Sequence, residues 1–148
     1  MATPSDDVKK IFSKTVVTEH EEDYSIVFIK PVYEGKARRL LRDIPPWCSV
    51  TYTGEEISLV LRSTEWEGLK ANFPGYKEEG PYRLITFDIV LDLSIVGFLS
   101  VVATALAEGG VSVYALSTYL KDHILVKKAD AGKATAILQG IIDKAKHS

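Results

Sequence analysis

Fifteen consecutive residues, Leu93–Ala107, carry no charge, and Asp92 and Glu108 close the run on either side. A bilayer crossing takes about 20 apolar residues, so this run is too short to span one and must be covered by the protein itself. Ile95, Phe98, Leu99, Val102 and Leu106 recur at helical spacing and form one apolar stripe. The other flank, Val96, Ser100, Ala103 and Ala107, is small or narrow, which lets a second helix come close. Ser94 stands where an N-cap is wanted. Gly109-Gly110 offers the left-handed stop that glycine accepts cheaply. The chain is thus organised around a buried helix.

Strands flank it. Ahead, Ile85, Phe87, Ile89 and Leu91 alternate with Leu84, Thr86, Asp88 and Val90, a pattern that suits a strand covered mainly on one face. Behind, Val111–Ser117 and His123–Lys127 read as two strands joined by a polar loop. Asp130 then caps a last helix with Ala134, Ile137, Leu138, Ile141 and Ile142 inward.

The same order of elements precedes it. Tyr24–Ile29 is a β-branched and aromatic strand, and Glu34–Asp43 a short helix with Leu40, Leu41 and Ile44 as its apolar side. Pro45-Pro46 stops that helix, because proline lacks an amide donor and restricts the residue before it. Ser49–Thr53 and Ile57–Arg62 form a hairpin around Gly54, and Thr64–Ala71 a short helix with Trp66 and Leu69 inward. EISLVLRSTEWEGLKA echoes DHILVKKADAGKATAI, an internal repeat. NFPGYKEEGP, residues 72–81, holds two glycines and two prolines and reads as a linker.

Each half is strand, helix, strand, strand, helix, short of one strand. Tyr82–Val90 can fill the gap in the first half, and Val8–Val17, read as a strand, the gap in the second. The expected division is a segment 1–20 completing the second sheet, a first half 21–74, a linker 75–81 and a second half 82–148.

Composition limits the function. The 148 residues are 46% apolar and 26% charged, with a net charge of −2 and basic residues spread along the chain. That gives no electrostatic ground for a nucleic-acid or membrane partner. Lys36–Arg39 is the densest basic cluster and suits a solvated face. Cys48 is alone, which excludes an internal disulfide and a multi-cysteine metal site. It follows Pro45-Pro46-Trp47 as a small apolar residue, with nucleophilic use the lesser alternative. MATPSDDVKK lacks the apolar run of a secretory signal, so a cytoplasmic location is expected.

No GxSxG, HExxH or phosphate-loop motif is present, and His20, His123 and His147 are far apart in sequence. Asp122 and His123 are adjacent, but neighbours on a strand point to opposite faces and do not form a dyad. We expect no catalytic residue, no metal and no cofactor.

Two segments can build a pocket. Asp92–Gly97 leads from a strand end into a helix N-terminus, whose unpaired amides favour an anion such as an α-carboxylate. Gly97 in the first turn lowers helix propensity by about 1 kcal/mol relative to alanine; close approach of a ligand, or tight packing of helix on strand, explains its presence. Ser117-Thr118-Tyr119-Leu120-Lys121-Asp122 offers hydroxyls, an aromatic ring and a carboxylate, or is simply a polar loop.

SIVGFLSVVATALAEGGVSV and STYLKDHILV together resemble the ACT domain, the βαββαβ module that senses amino acids in allosteric enzymes such as aspartate kinase. STYLKDHILV is similar to the ST(Y/F)xxDxxLV signature of the CASTOR-like tandem-ACT family, and EEISLVLRSTEW resembles that family's segment ahead of its linker more loosely. The resemblance covers residues 82–127 well and 24–71 weakly.

It implies an α+β fold of two ferredoxin-like ACT subdomains in tandem, antiparallel sheets with helices packed on one face. It also implies a free amino acid bound at an interface between modules. The α-amino and carboxylate groups would meet Asp92, Leu93, Ser94, Ile95, Val96, Gly97 and Phe98. The ligand's side chain would meet Ser117, Thr118, Tyr119 and Asp122, with Asp122 as partner of a cationic group. A regulatory amino-acid sensor, homodimeric through sheet edges or helices, is the functional expectation. The alternative is a protein-interaction module with a vestigial pocket, pairing through the small flank of the 95–107 helix with a protein partner.

Overall fold

The computed structural model describes residues 4–147. They divide into two compact units, one formed by Glu22–Tyr82 and the other by the chain up to Glu21 together with everything from Arg83 onward.

In the Glu22–Tyr82 unit, β2 (Tyr24–Ile29) pairs antiparallel with β4 (Ile57–Arg62), and β4 with β3 (Ser49–Tyr52). The β3–β4 hairpin closes through Thr53, whose amide donates to Glu56 O. Helices α2 (Glu34–Leu40) and α3 (Ser63–Glu67) bring Ala37 and Trp66 onto Val27, Ile29, Leu59 and Leu61. Trp66 stacks on Phe73, ring centroids 5.9 Å apart. Burying a side chain of this kind contributes about 1.5–3 kcal/mol.

The stretch expected to be a linker is partly strand. Strand β5 runs Lys77–Asp88, and its first part pairs with β2. Lys77–Pro81 is exposed throughout, so its charged, Gly-Pro composition matches a solvated strand. Pro81 falls where the β2–β5 register shifts, a place where a missing ladder donor is tolerated.

The other unit holds β1 (Val16–Glu19), the second part of β5, β6 (Tyr114–Ser117), β7 (Asp122–Lys127) and helices α1 (Asp6–Lys14), α4 (Phe98–Glu108) and α5 (Ala131–Lys146). Its strand order is β1-β5-β7-β6, with β1 antiparallel to β5 and β6 antiparallel to β7. The chain of this unit from β5 onward is thus βαββα, and the neighbour of β5 opposite β7 is β1 from the far N-terminal end.

Val8–Val17 is not one strand. Val8–Lys14 is helical and only Val16 and Val17 extend into β1. Ser5 accepts from the Val8 amide, Asp6 and Asp7 suit the positive helix start, and Lys14 the other end. Val8 and Phe12, four apart, then share one buried face, and Phe12 stacks on Phe98 with centroids 4.6 Å apart. The three helices meet Ile85, Phe87, Ile124 and Val126 in one core.

The second part of β5 is buried on both faces, not mainly one: Leu84, Ile85, Thr86 and Phe87 are all buried in succession. Helix α4 also starts later than expected. Its N-cap is Gly97, not Ser94, and no side chain caps it. Ser94 is already used, since Asp92 Oδ1 accepts both its amide (2.8 Å) and its hydroxyl (2.7 Å). Gly97 has φ +95°, left-handed backbone that glycine adopts without strain. Ile95 and Val96 therefore precede the helix, and Leu93 and Val96 are exposed, so the charge-free run is only partly a buried helix. At the C-terminal helix, Asp130 holds the N-cap position but its side chain makes no capping bond.

Among the described residues no helix is long and apolar enough to cross a membrane.

Candidate ligand-binding site

The unit that includes everything from Arg83 onward contains a cavity of about 260 Å³, built from two loops and a helix end. Strand β5 stops at Asp88, and residues 89–97 form the connection to α4. Leu91 N donates to Leu120 O at 2.8 Å, tying this connection to the β6–β7 loop. That loop is itself closed by Thr118 N donating to Lys121 O at 2.9 Å.

The walls are Leu91, Asp92, Leu93, Ile95, Gly97 and Phe98 from the connection and helix start, Leu99 and Ser100 from the first turn of α4, and Ser117, Thr118, Lys121 and Asp122 from the loop. Of the eleven residues proposed from the sequence, the structure brings Asp92, Leu93, Ile95, Gly97, Phe98, Ser117, Thr118 and Asp122 together around one space. Ser94, Val96 and Tyr119 do not line it; Val96 and Tyr119 are 85% and 79% exposed. Leu91, Leu99 and Ser100 are lining residues that sequence reasoning left out, and Lys121, inside the loop segment it named, was given no binding role. Lys121 was legible as the one cation in the loop. Leu99 and Ser100 entered the cavity only because the helix begins at Phe98.

Both walls carry polar groups. Because α4 is uncapped and its first internal bond is Val101 N to Gly97 O at 3.1 Å, the amides of Phe98, Leu99 and Ser100 have no acceptor within the helix. This end offers donors in a positive dipole. On the loop side, Asp122 accepts the Ser117 hydroxyl at 2.7 Å, and Lys121 Nζ pairs with Asp88 Oδ1 at 3.0 Å. The Thr18 hydroxyl on Asp88, with Lys121 beside it, holds the Asp88 carboxyl below the usual carboxylate range. The Ser94 hydroxyl and amide do the same for Asp92, which is exposed.

His123 lies behind the loop wall at 6% exposure. Burial, with smaller effects from His20 and Lys121, pushes its pKa down, which favours the neutral ring. Asp122 bonds to Ser117 and not to His123, and no acid–base dyad forms between them. No group of three or more His, Cys, Asp or Glu side chains suited to a metal occurs among the described residues. Cys48 is half-buried, and burial raises its thiol pKa, which lowers its nucleophilicity.

Residues 78–140 match the family model described as the ACT domain. With the strand and helix order above, this segment is an ACT domain in fold, and the chain is an α+β protein with ferredoxin-like antiparallel sheets. Solved structures carry the same fold over most of the chain. A protein of unknown function from Vibrio cholerae, described as a possible transport protein, is similar at 23% identity and TM-score 0.72, over 92% of this chain and 96% of that one. A protein from Agrobacterium tumefaciens is similar at 19% identity and TM-score 0.64, over 86% and 89%. The regulatory subunit of aspartate kinase from Thermus thermophilus, in ligand-free form, is similar at 12% identity and TM-score 0.63, over 84% and 95%. No curated protein matches the sequence significantly.

Proposed function

We propose that this chain is a non-catalytic regulatory protein that binds a free amino acid in the cavity between Asp92–Ser100 and Ser117–Asp122. The observation that carries this is the polarity of that cavity: uncapped α4 amides on one wall, Asp122 on the other, joined through the Leu91–Leu120 bond. An α-carboxylate suits the amides, and an ammonium or other cationic group suits Asp122. At about 260 Å³ the space is below the roughly 300–1,000 Å³ of drug-sized ligand sites, which favours one small metabolite. The regulatory subunit of aspartate kinase among the structural relatives, and the similarity of STYLKDHILV to the CASTOR-like signature, support the same reading.

A second copy is the natural cover for this site. Leu93, Val96, Tyr119 and Leu120 on the two segments, and Val90 just ahead of the first, are large apolar side chains and are exposed. Pairing through them gives a homodimer, measurable by light scattering as twice the chain mass at tens of micromolar; a monomer there excludes it.

A thermal-shift screen of the common amino acids at millimolar concentration tests the binding itself, since stabilisation follows occupancy. Asp122→Ala is expected to weaken the best binder by about 1.5–3 kcal/mol, the value of a charge-assisted hydrogen bond, with the fold retained. Undiminished affinity in that variant removes Asp122 from the site.

A further inference from the structure

A continuous file of side chains runs behind the loop wall. His20 Nε2 lies 2.8 Å from Thr86 Oγ1, Thr86 Oγ1 lies 2.9 Å from His123 Nδ1, and His123 Nε2 lies 3.0 Å from Thr118 Oγ1. Thr118 Oγ1 donates in turn to Lys121 O at 2.9 Å. Thr86 and His123 are buried, and Thr118 lines the cavity.

With His123 neutral, one arrangement of protons gives every contact in this file a donor. A hydroxyl carries a single hydrogen. That of Thr118 goes to the Lys121 carbonyl, so His123 Nε2 must donate to Thr118. A neutral imidazole has one N–H, which leaves His123 Nδ1 as an acceptor, filled by the Thr86 hydroxyl. Thr86, its hydrogen spent, accepts from His20 Nε2. Of the titratable groups facing the ring, His20 and Lys121 oppose a positive His123 and Asp122 and Asp88 favour it; burial is the largest single effect and also opposes it.

We propose that His123, fixed by Thr86 as the Nε2–H tautomer, is a positioning residue that commits the Thr118 hydrogen to Lys121 O, so that the Thr118 oxygen, beside Ser117 and Asp122, recognises only hydrogen-bond donors. Ser117 is committed likewise, its hydrogen given to Asp122. Ser117, Thr118 and Asp122 therefore meet a ligand with oxygen lone pairs alone, and that wall takes the N–H-bearing cationic end of the ligand. The other tautomer, with Nε2 as acceptor, would draw the Thr118 hydrogen away from Lys121 O. This inference deepens the reading of the cavity as an amino-acid site and rests on it for its ligand.

Long-range proton–nitrogen NMR on the full chain reads the tautomer without any ligand. The expected result is a neutral His123 protonated at Nε2 at pH 7, lost to a tautomer mixture in Thr86→Val and restored in Thr86→Ser. An Nδ1–H ring or an imidazolium in the wild type overturns the proposal, whether or not an amino acid binds. For the amino acid giving the largest thermal shift, His123→Phe is expected to lower affinity about tenfold, and His123→Gln, which keeps an N–H donor, to recover most of it. Wild-type affinity in a folded His123→Phe also overturns it. If no amino acid stabilises the wild type, the functional reading fails and the tautomer alone decides this one.

Discussion

Gly97 is the hinge between the proposed binding turn and helix α4, and replacing it has a calculable cost. Its φ of +95° lies where an L-residue is strained, by about 1–2 kcal/mol. A Cβ placed there would find its nearest neighbour, Val8 Cγ2, at 4.0 Å, an ordinary contact. Crowding therefore adds nothing, and the penalty is conformational. Alanine also restricts the unfolded chain, which returns about 0.4–1 kcal/mol. Gly97→Ala is thus expected to destabilise by about 0.8 kcal/mol, taking the middle of each range, and to lower Tm by about 2–3 °C at the 2–4 °C per kcal/mol of a chain near this size. Gly97→Asn should lose less, because asparagine tolerates the left-handed region and is itself a good N-cap. Both tryptophans, Trp47 and Trp66, lie in the Glu22–Tyr82 unit, so far-UV circular dichroism is the assay, not tryptophan emission. A neutral Gly97→Ala, or an asparagine variant as unstable as the alanine one, refutes the conformational explanation.

Other consequences follow from the packing and the titrating groups. Phe12→Ala removes a ring that stacks on Phe98 in the core and should cost about 3–5 kcal/mol; a loss below about 1 kcal/mol would mean that α1 is not part of that core. The folded His123 binds its proton at lower pH than the usual 6.5 of the unfolded chain. The unfolded state therefore takes up the proton first, and stability held above that pH declines as pH falls from about 6.5 toward the folded value. His123→Gln should flatten denaturant midpoints across this window, and an unchanged slope would contradict it. Asp88 acts in a separate, more acidic window: its folded carboxyl is held low, so its contribution is present above the usual 3.8 and lost below it. Asp88→Asn should remove that acid-limb loss and leave the slope near pH 6 intact.

Much of the architecture was legible because glycine, proline and apolar spacing act locally. The β3–β4 hairpin, the two glycines after α4 and the apolar side of α5 are all of this kind. Two expectations failed for identifiable reasons. Ser94 is a good N-cap in composition, but Asp92 sits two residues earlier and takes both its donors, so the helix waits for Gly97. Val8–Val17 looked like a strand because Val16, Val17 and Ile11 are β-branched; Ser5, Asp6 and Asp7 set the helix start, and the buried contact of Phe12 with Phe98 is nonlocal. The exposed Lys77–Pro81 strand carries loop-like residues because nothing buries them. At the site, the two segments could be named in advance, but not their junction through Leu91 and Leu120, nor the file from His20 to Thr118, which joins residues as far as 66 positions apart.

Isothermal titration of the common amino acids into the purified full chain, begun after mass spectrometry of any small molecule it carries, bears on the central claim most directly. We expect one amino acid to bind at one site per cavity, with affinity lowered more than tenfold by Asp122→Ala. No heat and no stabilisation from any amino acid at millimolar concentration would contradict the assignment.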